Sequence, residues 1–104
     1  MNLSNVWRGY QADKQIEGDS SITLKAYQLQ SNLLIRYFGE IEIEDLTTEN
    51  LKQYLSANRK DLKLASLGHQ VRFIKSLFRW THDEDIISKN PVAKLKEPKT
   101  GKQL

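Results

Sequence analysis

A chain of 104 residues with no cysteine and two histidines holds one domain with its own core; it excludes a disulfide framework and a thiolate metal site and argues against structural zinc. No stretch approaches the roughly 20 apolar residues of a membrane span, and the start MNLSNVWRGY lacks the basic and apolar regions of a signal peptide, so the expectation is a soluble, cytoplasmic chain with no membrane contact and no cofactor. The net charge of +3 conceals an asymmetry: residues 1–50 carry four Lys/Arg against eight Asp/Glu, net −4, and residues 51–104 carry twelve against five, net +7, as expected of a molecule that turns one face to a polyanion.

Leu3, Val6, Trp7 and Tyr10 fall at helical spacing, with Ser4 placed to cap the turn, and predict a short amphipathic helix over about residues 3–16 that ends near Gly18. The run DSS at 19–21 offers an N-cap. From Ile22 to Phe38 the apolar residues Ala26, Leu29, Leu33, Tyr37 and Phe38 keep the helical period, predicting a longer second helix closed by Gly39. The segment EIEIEDLTTEN alternates apolar and acidic residues, which alone argues for a strand, yet no partner strand is visible. Glu40–Asp45 is therefore read as an extended connection. Thr47 or Thr48 then caps a third helix through about Ala57, with Leu51, Tyr54 and Leu55 inward and Leu46 as its hydrophobic staple. The polar stretch NRKDLK leads into the longest periodic segment, from Leu64 or Ala65 to about Asp83.

On a wheel of about 100° per residue, Leu64, Leu67, Val71, Ile74, Phe78 and Thr81 of this last helix share one direction and form its buried stripe. Ala65, His69, Arg72, Ser76, Arg79 and Trp80 point the other way, with Lys75 on the flank. Asn90-Pro91 ends any helix before it, and VAKLKEPKTGKQL, basic and carrying a second proline, reads as a linker leaving the domain. Four main helices with short links predict an all-α, compact bundle.

The chain has no Gly-rich phosphate loop, no His-Glu-x-x-His and no recognisable Ser/His/Asp arrangement. Carboxylate pairs such as Glu42/Glu44 and Asp83/Asp85 read as solvated surface. The quartet His69-Gln70-Val71-Arg72 places a histidine and an arginine as neighbours on one helix, able to touch one phosphate together. Phosphoryl transfer also needs a nucleophile and further cations around that phosphate, and none follows. All four tyrosines, Tyr10, Tyr27, Tyr37 and Tyr54, precede the quartet, three of them at apolar helical positions that suit core residues with their hydroxyls at the surface. The outward residues of the last helix are of the types that bind phosphates and base edges. Ser66 also suits an early-turn or capping role, and Trp80 also suits packing on the first helix or on a neighbouring domain.

Three separated pieces, Ser21-x-Thr23-x-x-x-Tyr27, DLTTENLKQYL at 45–55, and SLGHQVRFIKSLFRWTHDEDIISKNPVAKLKEPK at 66–99, resemble the N-terminal core-binding, SAM-like domain of the tyrosine recombinase family, the phage-integrase and Xer-like enzymes. The resemblance spans about residues 3–99. It implies a helical bundle over residues 1–90 that clamps duplex DNA at a recombination core site, and a basic linker, 91–104, toward a catalytic domain that this sequence lacks. In such domains the second and fourth helices face DNA, which implies contacts from Thr23, Lys25 and Gln28 together with Ser66, His69, Gln70, Arg72, Lys75 and Ser76; Arg79 and, in the exit, Lys94 and Lys96 complete the candidate set. The wheel agrees for His69, Arg72 and Ser76 and places Gln70 nearer the buried stripe.

The family's catalytic tyrosine, arginines, lysine and His-x-x-Arg motif lie downstream of the linker, so the quartet at 69–72 is expected to touch DNA rather than perform chemistry. The chain alone is then no enzyme but a piece of a DNA-breaking and -rejoining recombinase of bacterial or phage origin, whose parent self-associates on DNA. Two other classes stay open: a helical protein-interaction module, and a free-standing DNA-binding regulator without recombinase activity.

Overall fold

In the computed structural model the backbone is described for residues 1–59 and 64–96, and the side chains for 1–58 and 67–96. Four helices, α1 (Leu3–Ile16), α2 (Ser21–Phe38), α3 (Thr48–Arg59) and α4 (Leu64–Asp83), pack into an all-α bundle, with one 3₁₀ turn at Ile43–Asp45. The last helix is central, since α1, α2 and α3 all lie against it.

Local chemistry explains the helix ends. The N-cap of α1 is Asn2, whose side chain accepts from the Asn5 amide at 2.9 Å; Ser4, the expected cap, instead donates its backbone N–H and its hydroxyl to the Glu40 carboxylate. Ser20 caps α2 by accepting from Thr23 N–H at 3.2 Å, and α2 closes on Gly39 at φ 75°, a left-handed conformation that favours glycine. At α3, Thr47 Oγ1 accepts from Asn50 N–H and Asn50 Oδ1 accepts from Thr47 N–H, both at 3.1 Å, a reciprocal cap with asparagine in the usual Glu/Gln position. The end of α4 folds back through Ile86 N–H to Thr81 C=O at 2.9 Å, with Asp85 left-handed at φ 61°.

The alternating segment does find a partner, in the chain's first residues. Leu3 N–H donates to Ile41 C=O and Ile43 N–H to Met1 C=O, forming an isolated antiparallel bridge of Asn2 with Glu42. Ile43 is thereby buried while Glu42 and Glu44 stay outside, where both carboxylates meet the Met1 amino group. The alternation marks a two-sided connection.

The core draws Leu3, Val6, Trp7 and Tyr10 from α1, Leu51, Tyr54 and Leu55 from α3, and Leu67, Val71, Ile74 and Phe78 from α4. It also takes Phe73 and Leu77, because α4 is covered on two sides and so buries a wider arc than its main stripe. An aromatic cluster joins three helices: Tyr10 stands edge-on to Phe73 (6.1 Å between centroids) and to Trp80 (5.9 Å), and Tyr27 lies 5.5 Å from Phe73.

Two segments differ from expectation. On α2 the buried residues are Leu24, Ser31 and Leu34, with Tyr27, Ile35 and Phe38 half-buried. Of the periodic set that identified the helix, only Phe38 faces inward; Ala26, Leu29, Leu33 and Tyr37 are exposed. The helix is apolar on two opposite sides, and the bundle uses the side bearing Tyr27 and Phe38. Beyond α4, the segment read as the start of a linker packs on the bundle: Val92 (2% exposed) and Leu95 (6%) enter the core, and Thr48 Oγ1 donates to Pro91 C=O at 2.6 Å.

Candidate nucleic-acid interface

From Leu64 to His82 the sequence of α4 contains no acidic residue. Its outer face carries His69, Arg72 and Arg79, all exposed, with Lys75 and Ser76 half-buried at its margins. The first acid is Asp83, whose Oδ1 lies 4.0 Å from His82 Nδ1 at the end of the helix. His69 and Arg72, three residues apart, are neighbours on the surface, as the spacing predicts. This gives one helix face with three cations and a histidine, a surface suited to several phosphates along a backbone.

The other candidates are placed differently. Gln70 is 3% exposed, and its Oε1 accepts from Asn58 Nδ2 at 3.4 Å across the α3–α4 contact. It is therefore a buried link between helices, and the expectation that it meets DNA is corrected. Ser76 Oγ is hydrogen-bonded to the Tyr10 hydroxyl at 2.8 Å, so its first role is to tie α4 to α1. The side chain of Ser66 lies outside the described residues. Lys94 and Lys96 are exposed and, with Lys52, rim a shallow depression floored by Leu55, Leu67 and Leu95.

On α2 the three candidates do not share a face. Gln28 is engaged twice, accepting from Trp7 Nε1 at 2.9 Å and donating to Asn32 Oδ1 at 3.0 Å. Thr23 is half-buried and its hydroxyl accepts from Ser20 Oγ at 3.0 Å. Lys25 is exposed, yet at 100° per residue it falls about 160° around the helix from Thr23, with the exposed Ile22, Ala26 and Leu29 between them. A single polar surface joining Thr23, Lys25 and Gln28 does not form.

Trp80 packs on α1. Its indole N–H donates to Asp13 Oδ2 at 2.8 Å, and its ring lies against Gly9, where an added Cβ would stand 2.8 Å from Cη2. Of the roles that the sequence leaves open to Trp80, packing on the first helix is the one observed; its signal is the pair Gly9 and Asp13 on one side of α1.

No group of three His, Cys, Asp or Glu among the described residues is placed to hold a metal ion. Burial pushes the Tyr10 phenol up to about 12, against a smaller opposing effect of its bond to Ser76, and burial likewise raises Tyr54. An activated nucleophile is shifted the other way. Tyr10 and Tyr54 are thus core residues, as expected; Tyr27 is half-buried, and Tyr37 is exposed. No helix among the described residues is long and apolar enough to cross a membrane.

No protein-family model matches the chain, and no curated protein does. Solved structures are similar to it. The crystal structure of a lambda integrase fragment, residues 75–356, as a dimer bound to a COC′ core site superposes with a TM-score of 0.84 over 96% of this chain and 37% of that one, at 24% identity. A lambda integrase dimer on the same core site gives 0.84 at 23% identity, with 29% of that chain covered, and the 75–356 fragment bound to DNA gives 0.81 at 23% identity, with 35% covered. The chain therefore spans about a third of the length of the structures it resembles, and at these identities the likeness shows a shared fold: an all-α bundle similar to one part of lambda integrase.

Proposed function

We propose that this chain is the DNA-binding module of a site-specific tyrosine recombinase or integrase, a clamp on duplex DNA at a recombination core site, with strand cleavage and rejoining delegated to a catalytic domain that follows in the parent protein. The observation that carries the reading is the acid-free outer face of α4 with His69, Arg72, Lys75 and Arg79. The fold shared with lambda integrase, which is bound to a core site in those structures, supports it. By itself the chain performs no strand chemistry, which falls to the catalytic domain of the parent. The module acts without a cofactor, in the cytoplasm of a bacterium or of a phage-infected cell, and the parent self-associates on DNA.

Phosphate contacts dominate the affinity of such a module, which makes it steeply salt-dependent. With about five cations on phosphates, the slope of log K against log salt is about −4.5, and affinity falls about 500-fold from 50 to 200 mM. Fluorescence anisotropy of a labelled duplex over that range tests this. Affinity that is weak at 50 mM and insensitive to added salt overturns the proposal.

A protein-interaction role for the outer face of α4 required Phe73 and Trp80 to be available to a partner. Both are turned onto α1 and α2 within the bundle, so this face favours DNA.

A further inference from the structure

Tyr10 is 0% exposed where α1 meets α2 and α4, with Tyr27 and Phe73 against its ring, and its hydroxyl reaches Ser76 Oγ at 2.8 Å. On α4, Ser76 stands one turn after Arg72 and one turn before Arg79. At about 100° per residue these three share about 80° of arc with His69. The hydroxyl pair therefore joins the aromatic core to the middle of the basic face.

Distance and angle allow either oxygen to be the donor; burial decides between them. Among the described residues Ser76 is the hydrogen-bond partner of the Tyr10 hydroxyl. Were Ser76 the donor, the phenol hydrogen would be left inside the core without an acceptor, which buried polar groups avoid. Tyr10 is therefore the donor, and it keeps its proton through the neutral range because burial holds its pKa at about 12. Ser76 accepts, and its own hydrogen is left to be donated elsewhere. The common outlet for a helical hydroxyl is a carbonyl of the preceding turn, as when Thr81 Oγ1 donates to Phe78 C=O at 2.7 Å. Among the described residues Ser76 makes no such bond. It is half-buried, and what is open to its hydrogen is the outer face of α4.

We propose that Tyr10 is a positioning residue for DNA binding: by donating to Ser76 Oγ it turns the Ser76 hydrogen outward, where Ser76 donates to a phosphate oxygen of the duplex. On the DNA-binding reading of this face, on which the contact rests, Tyr10 touches no DNA and acts only through Ser76. The cations beside Ser76 draw the phosphate backbone to it, which makes a phosphate the acceptor rather than a base edge. A donor behind the Ser76 oxygen also polarises the hydroxyl and strengthens the bond it makes outward. Without that donor the serine is free to turn its hydrogen back to the carbonyl of Arg72, four residues earlier.

A double-mutant cycle in duplex affinity tests the proposal, with the full chain, Ser76→Ala, Tyr10→Phe and the double variant titrated by fluorescence anisotropy from about 50 to about 200 mM salt. Ser76→Ala is expected to lower affinity about tenfold, the loss of one bond to a charged acceptor. The loss is the same on unrelated duplexes, and the salt slope is unchanged because a neutral donor displaces no counterion. Tyr10→Phe keeps the ring in the core and lowers affinity about threefold, but lowers it no further once Ser76 is alanine. A purely structural effect of Tyr10 on the placement of α4 would weaken binding equally in both backgrounds. Thermal melts by circular dichroism restrict the comparison to temperatures at which every variant is folded. Wild-type affinity in Ser76→Ala, or an equal loss from Tyr10→Phe in both backgrounds, overturns the proposal; a loss confined to one duplex sequence overturns the phosphate as acceptor. Weak, salt-insensitive binding by the unmutated chain overturns the DNA reading and this contact with it, so the unmutated curve tells the two failures apart.

Discussion

Trp80 and Asp13 are 67 residues apart in sequence and share a 2.8 Å hydrogen bond from indole N–H to carboxylate, fastening the last turns of α4 to α1. Trp80→Phe keeps an aromatic ring and removes the donor, so it is expected to lower unfolding free energy by about 1 kcal/mol. Gly9→Ala acts on the same pairing from the other side: its methyl would stand 2.8 Å from the ring, the indole must move, and the loss is about 1–3 kcal/mol. Urea titrations of the two variants, followed by tryptophan fluorescence, check both values.

The α4 face makes a residue-specific prediction. Arg72→Ala and Arg79→Ala are expected to weaken duplex binding and to reduce the salt slope by about 0.9 for each phosphate no longer neutralised, the exposed Arg79 with no change in fold. Gln70→Ala should do the reverse. Its carboxamide is buried against Asn58, so the variant loses about 1 kcal/mol of stability and keeps its salt slope. Anisotropy titrations at four salt concentrations, paired with thermal melts, separate the two outcomes.

What was legible in the sequence follows from how many sides of each helix meet the core. Single stripes on α1 and α3 pointed inward as read, as did Leu67, Val71, Ile74, Phe78 and Thr81 of the α4 stripe, from which the outward placement of His69, Arg72 and Arg79 followed; Phe73 and Leu77 lay outside that stripe because a second side of α4 is covered. On α2 two apolar sides compete, and periodicity identifies a helix without saying which side is covered; Tyr27 and Phe73 meeting in the aromatic cluster decide it, a contact between residues far apart in sequence. Gln70 entered the candidate set through the family resemblance, whereas the wheel already put it nearer the buried stripe, where it pairs with Asn58. Thr23, Lys25 and Gln28 are grouped by the family resemblance, which turns the second helix to DNA, but Trp7, which takes the Gln28 acceptor, comes from another helix.

Alkaline pH provides a further check. The folded-state pKa of Tyr10 is about 12, above the ordinary phenol value of 10.0, so the fold favours the neutral phenol. Its contribution to stability is fully present below about pH 10 and is lost as pH rises from about 10 to about 12. Denaturant midpoints should therefore drop across that interval. In a spectrophotometric phenol titration of the folded chain, Tyr10→Phe should delete a late-titrating group and reduce the drop.

Shortening the chain tests the exit segment. Ending it after Asn90 removes Val92 and Leu95 from the core and the Pro91 carbonyl from Thr48, and is expected to destabilise the bundle by about 3 kcal/mol or more relative to the full chain. Differential scanning calorimetry of the truncated and full chains checks this.

The latch of Thr48 on Pro91 also shortens the leash. A tether counted from Asn90 would gain about 3.5 Å of reach per residue, but residues 91–96 are held on the bundle and contribute none of it, so whatever follows in a longer protein starts from Lys96 with about 20 Å less freedom than a linker beginning at Pro91 would allow. On the function proposed above, the shorter leash would confine a following catalytic domain to a smaller volume and raise its effective concentration on the duplex that the bundle holds.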